Sequence, residues 1–143
     1  RMSSELIVDE LTGRASAGSI AVTAEGGTVT TSLQQGLAKA WVNFTGITTT
    51  AIRDSLNISG LTDAATGQTN LAYSNAMASV NYMGSFYTNA SASGGISDFG
   101  NQYTGVYGNG SDGRQTGLTK VGSYSSGFID SLHNDVATFG DLA

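Results

Sequence analysis

The sequence predicts an all-β protein, an antiparallel β-sandwich of about seven strands. Two observations support this fold class. Apolar and polar residues alternate with period two in several short segments, and no segment keeps the 3.6-residue period of a helix over about ten positions. Turn-forming residues separate these segments, and because the chain has no proline, its 20 glycines must supply the tight turns.

Residues 1–33 are predicted to form an N-terminal neck or shaft extension. Three short β-prone pieces occur there, at 6–8, 19–23 and 28–33, separated by glycines. None is long enough to bury a face by itself, so several identical chains wrapped together would stabilise them. The alternative is a flexible leader that precedes the domain.

Residues 34–143 are predicted to form the β-sandwich knob domain, which is long enough for one sizeable core. Up to one helical turn is expected within 34–39. The first strand, 37–45, has two distinct faces: one carries Ala38, Ala40, Val42 and Phe44, and the other carries Leu37, Lys39, Trp41 and Asn43. The second strand is expected to place Ile52, Leu56 and Ile58 on one face, ahead of a turn at 62–67. Further strands are predicted at 69–74, 80–89, 103–107, 118–129 and 136–142, with a turn at 130–135.

The edges of such a sandwich need protection, and the chain has few lysines and no proline to provide it. We therefore expect a homotrimer in which sister subunits cover the edge strands. Leu37 and Trp41 are the candidate trimer-interface residues, because they are large apolar groups on the outer side of the first strand. The alternative is that both faces of that strand pack inside one subunit.

Composition excludes several classes of partner. The net charge is −5 and the six basic residues are scattered, so a nucleic-acid partner is not expected, since phosphate binding needs clustered Lys and Arg. The chain has no cysteine, which excludes disulfides and thiolate metal sites. Polar residues interrupt the uncharged stretch 64–97 throughout, so no membrane insertion is expected.

The sequence offers little for catalysis, and we expect no enzyme, no cofactor, no metal and no catalytic residue. His133, the single histidine, lies between Asp130 and Asp135 in a predicted solvated turn, without an evident nucleophile. Three copies of it on a trimer axis could bind a metal, which is an open alternative. The glycines of 108–113 fit a dinucleotide motif, but no helix follows them. Paired carboxylates for glycoside cleavage remain possible, although no pair stands out.

Binding chemistry is better represented, because six tyrosines lie among Asn, Ser, Thr and Gly. Tyrosine offers a large rigid contact with a polar tip, and small polar residues add adaptable hydrogen bonds. The candidate receptor-binding residues lie in the tract 103–114: Tyr103, Tyr107, Asn109, Asp112 and Arg114. The alternative is that these tyrosines fill the core and the trimer interface.

Three segments resemble a known family: GLAKAWVNF at 36–44 with the glycine-rich lead from 26, AIRDSLNISGLTD at 51–63, and VATFGDL at 136–142. They are similar to a terminal domain of bacteriophage tail-fibre and related virion proteins, particularly from phages of cyanobacteria and other marine bacteria. The resemblance implies a virion location on the tail fibre or the capsid surface, and host attachment through a cell-surface polysaccharide or outer-membrane protein. It also implies contacts with other virion tail or baseplate proteins. A purely structural capsid fibre or decoration protein is the alternative.

Overall fold

The computed structural model describes residues 6–13, 20–23, 27–89, 103–108, 113–124 and 127–143. The chain divides into two compact units, residues 1–36 and residues 37–143. The described part contains no helix with the length and apolar character needed to cross a bilayer.

The first unit contains two very short strands. Strand β1 (Ala21–Thr23) pairs antiparallel with β2 (Thr30–Ser32), and one helical turn, α1 (Leu33–Gly36), follows. Residues 6–8 were expected to be β-prone but are not in a strand. Six large apolar side chains of this unit are exposed: Leu6, Ile7, Val8, Leu11, Val22 and Val29. A two-stranded pairing of this length is marginally stable without further packing.

The second unit contains eight strands within its described residues. They are β3 (Ala38–Thr45), β4 (Ala51–Leu56), β5 (Ile58–Ala65), β6 (Gln68–Tyr73), β7 (Met83–Asn89), β8 (Tyr103–Val106), β9 (Leu118–Tyr124) and β10 (His133–Phe139). The first sheet has the order β4-β3-β10-β7 and the second has the order β5-β6-β9-β8. All neighbouring strands are antiparallel.

The two sheets share one hydrophobic core. Its buried members come from both sheets: Val42, Phe44, Leu71, Val121 and Val136. A second cluster extends this interior and contains Ala40, Tyr73, Met77 and Tyr82. Because both sheets direct side chains into a common interior, the unit is an antiparallel β-sandwich, and the predicted fold class is confirmed.

The predicted faces of the first strand are confirmed. Ala40, Val42 and Phe44 are each at most 2% exposed, whereas Trp41 between them is partly exposed on the outer side. Alternation of this kind follows from the period of two in a strand with one buried face.

The predicted second strand was wrong, because it is two strands in different sheets. Asn57, with φ of 57°, separates β4 in the first sheet from β5 in the second. Within β4, Ile52 pairs with Phe44 and Leu56 pairs with Trp41, across a register shift. Directly paired residues share a face, so the bulge places Ile52 on the side of Phe44 and Leu56 on the side of Trp41. At this edge strand both side chains remain exposed, Ile52 at 39% and Leu56 at 49%.

Other predicted boundaries shift by a few residues. β5 runs to Ala65, so the turn expected at 62–67 is confined to its last two residues. β7 begins at Met83 rather than 80, and β9 ends at Tyr124 rather than 129. The predicted turn 130–135 was wrong in its second half, because β10 starts at His133, which pairs with Asn89 of β7.

Candidate functional site

Three aromatic side chains line an open groove of about 480 Å³ on the second sheet, beside strands β8 and β9. We call it the aromatic groove. It is lined by Gly105, Val106, Tyr107, Gly108, Gly122, Tyr124 and Phe128. None of these lining residues carries a charged side chain.

Two glycines make the floor of the aromatic groove. Gly105 of β8 and Gly122 of β9 are directly paired, so the floor has no side chains at this point. A Cβ atom on Gly122 would lie 2.9 Å from Cε1 of Phe128, and no real Cβ approaches a ring carbon so closely. The absence of a side chain at Gly122 therefore allows the Phe128 ring to lie against the sheet.

Backbone contacts of Phe128 and Ile129 with the end of β9 place the Phe128 ring in the groove. Phe128 forms an isolated antiparallel bridge with Tyr124, and the amide of Ile129 donates a hydrogen bond to the carbonyl of Ser123 at 3.0 Å. The Phe128 ring packs edge-to-face against Tyr124, with a centroid distance of 5.5 Å and an interplanar angle of 88°. Edge-to-face packing is a favoured arrangement of aromatic pairs.

The third ring is fixed by both an aromatic and a polar contact. Tyr107 packs against Phe128 with a centroid distance of 6.2 Å, and its hydroxyl donates a hydrogen bond to Oδ1 of Asn70 at 2.8 Å. Tyr124 and Phe128 remain 44% and 41% exposed. The groove thus presents aromatic rings that pack against one another to solvent, beside the side chain of Asn70.

The predicted receptor-binding residues occupy different places. Tyr107 lines the aromatic groove, and Tyr103 pairs with Tyr124 at the edge of the sheet, although its side chain lies outside the described residues. Asn109 and Asp112 also lie outside the described residues. Arg114 is not among the lining residues; its guanidinium Nη1 donates to the backbone carbonyl of Tyr82 at 3.1 Å. Receptor binding by these residues stays a prediction.

A second groove, of about 280 Å³, lies on the outer face of the first sheet. We call it the Trp41 groove. It is lined by Trp41, Val42, Asn43, Ser85, Tyr87, Asp135, Val136 and Ala137. Leu37, which precedes β3, is 54% exposed. The second sheet does not cover this face, and the role of Leu37 and Trp41 in a trimer interface stays a prediction.

A hydrogen-bonded network borders the Trp41 groove. Asn43 Nδ2 donates to Oδ1 of Asp135 at 2.5 Å, and Arg53 Nη1 lies 3.5 Å from Oδ1 of Asn43. Arg53 Nη1 also lies 2.7 Å from Nδ1 of His133, while its Nη2 donates to the carbonyl of Leu132 at 2.7 Å. A guanidinium only donates, so Nδ1 of His133 is the acceptor in this contact.

The prediction of a solvated loop around His133 was therefore wrong in one respect. His133 is exposed, but it belongs to strand β10, where it pairs with Asn89, and Arg53 contacts its ring. The two residues are 80 positions apart, so no local pattern could have indicated their contact. Among the described residues, no group of three or more His, Cys, Asp or Glu side chains is arranged to hold a metal ion.

No protein-family model, no curated protein and no solved structure matches the chain.

Proposed function

We propose that this chain is a bacteriophage virion fibre protein whose β-sandwich attaches the particle to a host cell by binding a surface glycan. The single observation that carries the binding proposal is the aromatic groove, with three fixed rings, a glycine floor and an uncharged lining. The virion setting is supported by the resemblance of residues 26–63 and 136–142. The proposed function does not include catalysis.

The aromatic groove suits a sugar better than a charged ligand. A sugar ring has an apolar C–H face that packs on an aromatic ring, and hydroxyls that need polar partners at the rim. The exposed rings of Tyr124 and Phe128 offer the packing surface, and Asn70 beside Tyr107 offers a polar group. The rings are already held by one another, so little side-chain freedom is lost on binding.

The proposal includes a homotrimer and contacts with other virion tail or baseplate proteins. The homotrimer is supported by the exposure of apolar side chains in the first unit, where Leu6, Ile7 and Val29 are 77%, 83% and 76% exposed. Burying such groups between identical chains is favourable by about 25 cal/mol per Å² of apolar surface. Sedimentation of the full chain tests the trimer, and a monomer at micromolar concentration would contradict it.

Adsorption to bacterial cells tests the binding proposal. The labelled full chain is mixed with a panel of marine cyanobacterial and other marine bacterial strains, and bound protein is measured after washing. We expect adsorption to a subset of strains, and its loss in the double variant Tyr124→Ala, Phe128→Ala. The control is Val80→Ala, which removes an apolar side chain of similar exposure, 40%, outside both grooves.

If the chain adsorbs to none of the strains, receptor binding is contradicted. Combined with incorporation of the chain into particles, this result would favour the alternative, a structural capsid fibre or decoration protein. Loss of cell-surface polysaccharide during the incubation would instead indicate a glycosidase.

A further inference from the structure

The Trp41 groove has the form of a ligand site that is separate from the aromatic groove, on the opposite outer face of the same sandwich. Trp41 on β3 and Tyr87 on β7 stand on either side of β10. Their strands are two inter-strand spacings apart, about 10 Å. Trp41 pairs with Ala137, which in turn pairs with Ser85, so small side chains lie beside Trp41 across β10 and β7.

A fixed hydrogen-bond acceptor lies in this groove. Asp135 pairs with Asn43 on one side and with Tyr87 on the other. The Asn43 amide donates to one carboxylate oxygen, which orients the group. A carboxylate has about four lone-pair positions, so it retains capacity for the hydroxyls of a ligand.

The charge of the surroundings indicates a neutral ligand. Asp135 and Asp54 flank Asn43 in the sheet register, and the Arg53 guanidinium contacts the same Asn43 side chain. The two carboxylates repel an anion, and the guanidinium offsets one of their charges, which weakens their attraction for a cation. An aromatic wall beside a hydrogen-bonding carboxylate then suits a ligand with an apolar face and hydroxyl donors.

We propose that the Trp41 groove is a second saccharide-binding site, in which one face of a neutral sugar ring stacks on Trp41 and a sugar hydroxyl donates to the carboxylate of Asp135. It does not depend on the aromatic groove, because no lining residue is shared. A bivalent domain of this kind could hold two points of one surface polysaccharide and gain affinity through effective concentration.

The chain carries its own reporter for this site, because Trp41 is its single tryptophan. The full chain is titrated with three neutral disaccharides, lactose, maltose and cellobiose, while tryptophan emission is recorded. We expect a saturable change in intensity or wavelength with at least one of them. Asp135→Ala should lower the affinity about tenfold or more, because a hydrogen bond to a charged group is lost.

Two further variants separate this site from its alternatives. Asp135→Asn keeps the size of the side chain and one acceptor oxygen, and it should give a smaller loss than Asp135→Ala. Tyr124→Ala alters only the aromatic groove, and the Trp41 response should persist in it even where adsorption to cells is lost. Circular dichroism confirms that each variant is folded.

Unchanged Trp41 emission with all three sugars would overturn the proposal. So would an Asp135→Ala variant that binds as tightly as the unmodified chain. A third outcome is that the Trp41 emission of the unmodified chain does not change with sugar, while Trp41→Ala dissociates an oligomer in sedimentation. The groove is then the predicted trimer interface and not a sugar site. These outcomes leave adsorption through the aromatic groove intact, so the two proposals fail separately.

Discussion

The phenolic oxygen of Tyr82 lies 2.5 Å from the hydroxyl oxygen of Thr119 inside the sandwich. Tyr82 is the residue before β7 of the first sheet, and Thr119 belongs to β9 of the second, so the contact joins the two layers. The Tyr82 hydroxyl also lies 3.2 Å from the carbonyl oxygens of Gln115 and Leu118. Burial raises the pKa of Tyr82 to about 12, although the hydrogen bond with Thr119 opposes this shift.

We predict that alkali weakens the fold through Tyr82. Its pKa is raised from 10.0 to about 12, so the folded state holds a proton that the unfolded state releases. The stability that this group contributes is fully present below pH 10 and is lost as the pH rises through 12. The free energy of unfolding from urea titrations should fall across this window by about 2 to 3 kcal/mol.

Tyr82→Phe is the control for the alkaline prediction. It removes the titrating group and its hydrogen bonds, so we expect about 1 to 2 kcal/mol lower stability at neutral pH and a flatter profile between pH 10 and 12. If the free energy of unfolding falls equally in both proteins between pH 10 and 12, groups other than Tyr82 cause the decline.

Much of the fold was predictable because it depends on local alternation. The run from Ala38 to Phe44 showed which residues of β3 face the core, because a strand with one buried face must alternate. The separation of β4 from β5 was not predictable in this way. It depends on Asn57, whose left-handed backbone is maintained by contacts with distant residues, and on a bulge that reverses the face of Ile52 relative to Leu56.

The candidate sites were predictable only in part. Tyr107 is predictable because it lies among small polar residues. The sequence pattern instead predicts Phe128 within a longer strand, 118–129, and does not indicate that it lines the groove. One signal for Phe128 was available in the sequence: it follows Gly122 by six positions. A glycine within a strand often marks a place where another group approaches the backbone closely. The Arg53 to His133 contact joins residues that only the pairing of distant strands brings together.

Gly122→Ala should damage the aromatic groove more than the fold. The new Cβ would lie 2.9 Å from the Phe128 ring, which is at a partly exposed site and can swing outward. We expect a stability change within about 1 kcal/mol, with loss of adsorption to cells and of the nuclear Overhauser contacts between Phe128 and Tyr124. In Gly60→Ala the added methyl meets nothing within 4 Å, so binding should be retained. Equal adsorption by both variants would show that the position of Phe128 does not matter.

Ser131 and Ser123 provide a matched pair of buried serines. Among the described residues, the hydroxyl of Ser131 is the buried side-chain group without a hydrogen-bond partner, whereas Ser123 Oγ donates to Oδ1 of Asn134 at 3.0 Å. Ser131→Ala should raise the free energy of unfolding by about 1 kcal/mol, because an unsatisfied polar group is removed. Ser123→Ala should lower it by about 1 to 2 kcal/mol, because Asn134 loses a partner. Urea denaturation measures the free energy of unfolding of both variants. A lower value for Ser131→Ala than for the unmodified chain would contradict the prediction.

Asn57 combines backbone strain with side-chain hydrogen bonds, and two substitutions separate these contributions. Its φ of 57° is left-handed, and its side chain donates to the carbonyl of Lys39 at 3.1 Å and accepts from the amide of Asn75 at 2.7 Å. Asn57→Gly loses the bonds but adopts this φ without strain, so we expect about 2 kcal/mol lower stability. Asn57→Ala loses the bonds and adds the strain, so we expect about 3 kcal/mol. If urea denaturation gives equal losses, the backbone contributes little, and the side-chain bonds alone maintain the crossing from the first sheet to the second.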